Sequence, residues 1–144
     1  MENNLDIGQF LLFQRQVGDF YNSAISKCAA QCNLSKPEAD VILFLANNTQ
    51  YKTATEVVEH RGFSKGYVSK AVEQLQSKGL ISIKTGKEDR RYQYIEVLPQ
   101  AAQTIEELRG AQLGFWAAVS RDINGEDIIS FNRLVVQLLK NISE

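Results

Sequence analysis

The sequence predicts a mainly α-helical chain that carries one small β-hairpin. Three observations support this. Apolar residues recur every three or four positions through most of the 144 residues. Cap-forming residues stand where several of those runs begin. Two-residue alternation is confined to "LISIKT" and "RYQYIEVL". The chain is 44% hydrophobic, enough to build a core, and its 23% charged residues are ordinary for a globular protein. With two prolines and nine glycines it lacks the composition of long linkers. No apolar run approaches the ~20 residues needed to span a bilayer. The start, "MENNLDIGQF", is acidic and polar where a secretory signal would be basic and then apolar, so a cytoplasmic protein without a membrane partner is expected.

The first element is a long helix from Ile7 to about Cys32. Ile7, Phe10, Leu11, Phe13, Val17, Phe20, Tyr21, Ala24, Ile25, Cys28 and Cys32 form a stripe too wide and aromatic for a lone surface helix. It needs a further layer or a second subunit to cover it. A second helix begins at Ser35, with Glu38 completing a capping box and Pro37 in the first turn. Its apolar side is Val41, Ile42, Leu45 and Ala46, and Asn47-Asn48 marks its end. Thr53 and Glu56 open a short third helix with Val57 and Val58 facing inward, which Arg61-Gly62-Phe63 breaks. Ser64 caps a fourth, whose core positions are Val68, Val72 and Leu75, and Gly79 stops it with Lys78 near the negative end of its dipole. The two alternating segments around "GKEDR" then pair as a hairpin. Pro99 opens a long helix to about Asp122, Asn124-Gly125 reads as a turn, and Ile128, Phe131, Val135, Leu138 and Ile142 mark a last amphipathic helix.

Charge is distributed unevenly. Arg61 to Arg91 holds eight Lys/Arg against three Asp/Glu, a net +5, and the remainder holds eight against fourteen, a net −6. A basic stripe on an acidic body suggests a polyanion for that stripe alone. Cys28 and Cys32, the only cysteines, fall on one helix face and read as small buried apolar residues. One histidine, His60, leaves few ligands for a metal cluster. No Ser/His/Asp or Cys/His arrangement and no Gly-rich phosphate loop is visible, so neither an enzyme nor a cofactor is expected.

A short helix, a three-residue turn containing Gly62, and a second capped helix form a helix-turn-helix pattern, which the following hairpin extends to a winged helix. A helix fits the DNA major groove, and Ser64, Lys65, Gly66, Tyr67, Ser69 and Lys70 lie off the Val68–Val72–Leu75 stripe. A hairpin tip carrying Lys87, Asp89, Arg90 and Arg91 is thin enough to approach a minor groove, where negative potential favours arginine. Thr53, at the start of the preceding helix, completes the expected DNA-binding set. The rival reading is a winged-helix module that docks protein without binding DNA.

The segment "FSKGYVSKAVEQLQSKGLISIKTGKEDRRYQYIEVL", Phe63 to Leu98, resembles the MarR family of bacterial winged-helix transcription regulators. It is similar in its recognition helix, its L-x-x-x-G-L boundary (Leu75, Gly79, Leu80) and its D-x-R wing motif (Asp89, Arg91). Where the family usually continues with Leu-Thr and a glycine, this chain has "LPQAA". The resemblance implies that Asp89 orients an arginine and that Arg91 is the minor-groove arginine. It further implies one regulator domain over residues 1–144, with a DNA-binding lobe at 34–98 and dimerisation helices at 5–33 and 99–144. The expected function is that of a repressor that binds double-stranded DNA at an inverted repeat as a homodimer and is released by a small-molecule effector. Phe13, Phe20, Tyr21 and Trp116 are the candidates to line an effector pocket, and packing in the dimer core is the leading alternative for them.

Overall fold

The computed structural model describes residues 4–144. Six helices and one hairpin follow in the order α1 (Ile7–Gln31), α2 (Lys36–Asn47), α3 (Ala54–Arg61), α4 (Lys65–Ser77), β1 (Ile81–Thr85), β2 (Gln93–Val97), α5 (Ala102–Val119) and α6 (Gly125–Ser143). The chain divides into two compact units, one running to Gln112 and one from Leu113 to Glu144.

In the first unit α2 is the central element. It packs against α1, α3, α4 and β2, and Ala39, Val41, Ile42, Leu43 and Leu45 are all buried. The expected one-sided apolar stripe therefore understates its burial. Around it close Ile25 and Ala29 of α1, Val57 of α3, Val68, Ala71, Val72 and Leu75 of α4, Ile81 and Ile95 of the hairpin, and Ile105 and Leu108 of α5. The anticipated caps form. The hydroxyls of Ser35, Thr53 and Ser64 accept from the backbone N–H of Glu38, Glu56 and Tyr67. Gly62 and Gly79 end α3 and α4 at φ of 80° and 72°, a region that favours glycine.

The hairpin pairs Ile81 with Val97 and Thr85 with Gln93. Its outer edge is tied down where the Ile95 N–H donates to the Lys52 carbonyl at 2.7 Å, just ahead of α3. Gly86 is required at the wing turn: a Cβ there would stand 2.6 Å from the Asp89 carbonyl oxygen.

Three expectations are corrected. Asn124-Gly125 is not the turn. Asn124 caps α6, its Oδ1 accepting from the Asp127 N–H at 2.8 Å, and Asp122 makes the reversal with a φ of 62°. A short polar side chain suits caps and turns alike, so the dipeptide alone does not separate them. The helix expected to open at Pro99 begins with a 3₁₀ turn over Pro99–Ala101, and α5 ends at Val119. Cys28 and Cys32 are half-buried.

In the second unit no residue of α6 is buried. Ile129, Leu134, Val136, Leu139 and Ile142 are each at least 60% exposed, and Leu113 of α5 is 70% exposed. The N-terminal part of α1 likewise exposes Ile7, Leu11 and Leu12.

Lys78 does more than sit by a helix dipole. Its Nζ donates to the buried Glu38 carboxylate at 2.7 Å and to the Asn33 carbonyl at 2.8 Å. Glu38 also accepts from the Ser35 N–H, closing the capping box. Removing the cation leaves a buried carboxylate without its charge partner, while the half-exposed lysine itself is cheap to release into water. Lys78→Met should therefore lower unfolding free energy by about 2 kcal/mol in urea titrations. Adding Glu38→Gln should recover part of that loss. An unchanged single mutant would show that the pair does not hold α2 to α4.

Candidate nucleic-acid interface

The residues nominated for DNA contact separate into four groups. Lys65, Gly66, Ser69 and Lys70 are exposed along the outer side of α4. Their position follows from the periodicity that buries Val68, Ala71, Val72 and Leu75. Thr53 and Ser64 are engaged at helix starts: the Thr53 hydroxyl accepts from the Glu56 N–H and donates to the Glu56 carboxylate at 3.0 Å. Tyr67 turns inward, and its hydroxyl donates to Asp40 Oδ2 at 2.6 Å. Partial burial first and this bond second push the phenol well above its usual range.

The aromatic face of Tyr67 packs on Phe63 at 4.8 Å between ring centroids, and the Arg61 guanidinium lies over Phe63 at 4.6 Å. Arg61, Phe63 and Tyr67 thus stiffen the turn between α3 and α4. Asp40 was not foreseen as part of this region. Its bond to Lys36 at 2.6 Å was open to sequence reasoning through the i,i+4 spacing. The bond to Tyr67 joins residues 27 apart and left no local signal.

On the wing, Asp89 holds Arg91. Asp89 Oδ1 accepts from the backbone N–H and Nε of Arg91, each at 3.0 Å, and Oδ2 accepts from the guanidinium at 2.6 Å. These bonds keep the Asp89 carboxyl below the usual carboxylate range and raise the Arg91 guanidinium above its own. The Arg91 side chain remains 88% exposed. Its orientation is fixed while its surface stays available. Lys87 and Arg90 are exposed in the same loop. Lys84, by contrast, pairs with Glu96 on the neighbouring strand at 2.7 Å.

Of the cations read as one basic run, Lys78 and Lys84 therefore serve internal pairs. Those at the start of α4 and at the wing tip remain outward. A groove of about 520 Å³ brings Thr53 and Thr55 of the α3 start together with Arg91, Tyr92 and Tyr94 of the wing.

A second opening, of about 270 Å³, is lined by Tyr21, Asp40, Phe44, Asn47, Arg61 and Gln112 among others. Of the residues expected to line an effector pocket, Tyr21 is found here. Phe13, Phe20 and Trp116 are 42%, 50% and 39% exposed and do not line this cavity.

The Cys32 thiol donates to a Glu107 carboxylate oxygen at 2.9 Å. Partial burial first, then this bond, pushes it from 9.0 up to about 12. Because the shift raises an acid's pKa, the thiolate is disfavoured in the folded chain throughout the neutral range. Its reactivity towards alkylating agents falls accordingly, since only the thiolate is the nucleophile. Iodoacetamide should label Cys32 slowly at pH 8 and only modestly faster in the Glu107→Gln variant, because burial is the larger cause. Rapid labelling of the native chain would contradict this environment.

The sequence profile of the MarR family matches residues 33–91. No curated protein sequence matches the chain. Solved structures share the fold across nearly its whole length. The transcriptional regulator PA3341 is 20% identical with a TM-score of 0.82, covering 93% of this chain and 98% of its own. A putative MarR family transcriptional regulator from Listeria monocytogenes, complexed with 26mer DNA, is 15% identical with a TM-score of 0.82, covering 96% and 89%. Bordetella bronchiseptica BpsR, whose DNA binding is regulated by 6-hydroxynicotinic acid, is 16% identical with a TM-score of 0.70, covering 100% and 97%. Residues 33–91 are thus similar in sequence to the MarR family, and the described chain shares the fold of these solved regulators.

Proposed function

We propose that the protein is a sequence-specific DNA-binding transcription regulator. It acts as a repressor, binds an inverted-repeat operator as a homodimer, and is released by a small-molecule effector. The observation that carries this reading is the pairing of an outward cationic edge on α4 with an exposed wing arginine held rigid by Asp89. In it, α4 enters the major groove with Lys65, Gly66, Ser69 and Lys70 towards the bases and phosphates, and Arg91 reaches into the flanking minor groove with Lys87 and Arg90 beside it. Thr53 and Ser64 act mainly by fixing the helix starts, and Tyr67 by fixing the orientation of α4. The Listeria relative solved with DNA and the ligand-regulated Bordetella relative are consistent with both halves of the proposal.

The homodimer rests on the apolar faces of α1 and α6. Exposed apolar area of this extent marks an interface in a protein of this size. A second copy is the occupant that the family's fold implies, through helices at 5–33 and 99–144.

Two outcomes are expected. Arg91→Ala should weaken binding to operator and to scrambled duplex together, by about 1.5 kcal/mol each, as loss of a charge-assisted contact does. Ser69→Ala and Lys70→Ala should instead shrink the operator-to-scrambled ratio, by roughly 1–3 kcal/mol for a base contact. Binding constants at matched salt decide between them, and an Arg91→Ala protein with both affinities intact would remove the wing from the interface. In sedimentation experiments the native chain should be a dimer, and Leu138→Asp should give monomers or aggregates. A Leu138→Asp protein that remains a normally melting dimer would place the interface elsewhere.

A further inference from the structure

Arg61 ends α3 and stands just ahead of the turn into α4. Its guanidinium lies over the Phe63 ring at 4.6 Å, and Phe63 packs on Tyr67 at 4.8 Å between centroids. The Tyr67 hydroxyl is bonded to Asp40, whose side chain is 1% exposed and paired with Lys36. The arginine therefore tops a column of side chains that begins in the core. A basic residue in the last turn of α3 suits the helix dipole, but the dipole asks only for charge. It does not require a guanidinium held flat against a ring.

What the column leaves free decides the reading. Stacking engages the face of the guanidinium and leaves its N–H donors in the plane, where they match the oxygens of a phosphate. Arg61 is exposed, and among the described residues no carboxylate pairs with it. Asp40 borders the same 270 Å³ opening, but its Oδ2 already serves Lys36 and Tyr67. Arg61 is thus oriented as firmly as Arg91, without a carboxylate on its donors. Its place in the fold agrees. In a helix-turn-helix the first helix crosses the sugar-phosphate backbone while the second presents its N-terminal turns to the bases. Arg61 lies at the junction of those two helices, with exposed Lys65 opening the second.

We propose that Arg61, held in place by Phe63, contacts a DNA backbone phosphate at the edge of the major groove and adds affinity without sequence preference. The inference rests on the proposed DNA-binding function and deepens it with a contact that neither the outer side of α4 nor the wing supplies. The column from Asp40 to Arg61 then has two effects: the bond that orients α4 also orients the cation beside it.

The test is the salt dependence of binding to operator and scrambled duplexes by the full chain, Arg61→Ala, Phe63→Leu and the double variant. Each lost phosphate contact should make the slope of log binding constant against log salt shallower by about 0.9. Arg61→Ala should weaken both duplexes by about tenfold for each contact, the scale of one charge-assisted hydrogen bond, and leave their ratio unchanged. Phe63→Leu keeps the charge but removes its seat, so it should cost more affinity in the native background than in Arg61→Ala. A general loosening of the turn would cost the same in both backgrounds. Duplexes with single methylphosphonate substitutions locate the contact: one neutralised position per half-site should weaken the native protein and not Arg61→Ala. That scan decides the matter if Phe63→Leu does not fold. With native binding intact, an unchanged slope in Arg61→Ala overturns the inference and leaves the DNA-binding reading standing. Equal costs of a folded Phe63→Leu in both backgrounds, a loss confined to the operator, or a scan without such a position overturn it as well. A native chain that binds neither duplex removes both the inference and the reading beneath it.

Discussion

The lobe depends on the way α2 holds both ends of α4. Val68, Ala71, Val72 and Leu75 give α4 an apolar seat, but apolar burial is non-directional and would tolerate rotation or sliding. Direction comes from the two buried charged residues of α2. Asp40 receives Tyr67 near the start of α4, and Glu38 receives Lys78 just past its end. Buried carboxylates are expensive unless paired, so each strongly penalises the geometry in which its partner is lost. The result is an α4 fixed in rotation and register, leaving Lys65, Ser69 and Lys70 outward.

The wing applies the same logic with less burial. Its strands hang from β1–β2 pairing and from the Ile95-to-Lys52 bond, which fixes the hairpin to the segment ahead of α3. At the tip, where no core is available, a two-residue Asp89–Arg91 clamp sets the guanidinium direction. A pre-oriented arginine loses less rotamer freedom on binding than a loose one. The net positive charge of the segment is thus less informative than its allocation. Lys78 and Lys84 neutralise Glu38 and Glu96, Arg61 lies over the Phe63 ring, and the other outward cations are those on α4 and at the tip.

Much of this was legible in the sequence because it is local. Ser35, Thr53 and Ser64 announce helices through bonds three residues long, Gly62 and Gly79 mark ends through backbone freedom, and the Asp89–Arg91 spacing places two charges on one turn. What escaped depends on residues that only the fold brings together. Asp40 and Tyr67 are 27 apart, Glu38 and Lys78 are 40 apart, and Cys32 and Glu107 are 75 apart. For this reason Tyr67 looked outward, Lys78 looked like a dipole partner, and the cysteines looked simply apolar. The misreading of Asn124-Gly125 has another cause: asparagine satisfies a backbone N–H equally well in a turn or at a helix start, and only the following residues of α6 decide.

The central claim is that α4 and the Asp89–Arg91 wing grip one duplex in adjacent grooves, with two copies related by symmetry. Hydroxyl-radical footprinting on a selected operator tests it most directly. The account predicts two dyad-related sets of protections, half-sites roughly 10 bp apart, with flanking minor-groove protections that disappear in Arg91→Ala while the central ones persist. A single protected patch without dyad symmetry, or flanking protections unchanged in that variant, would contradict it.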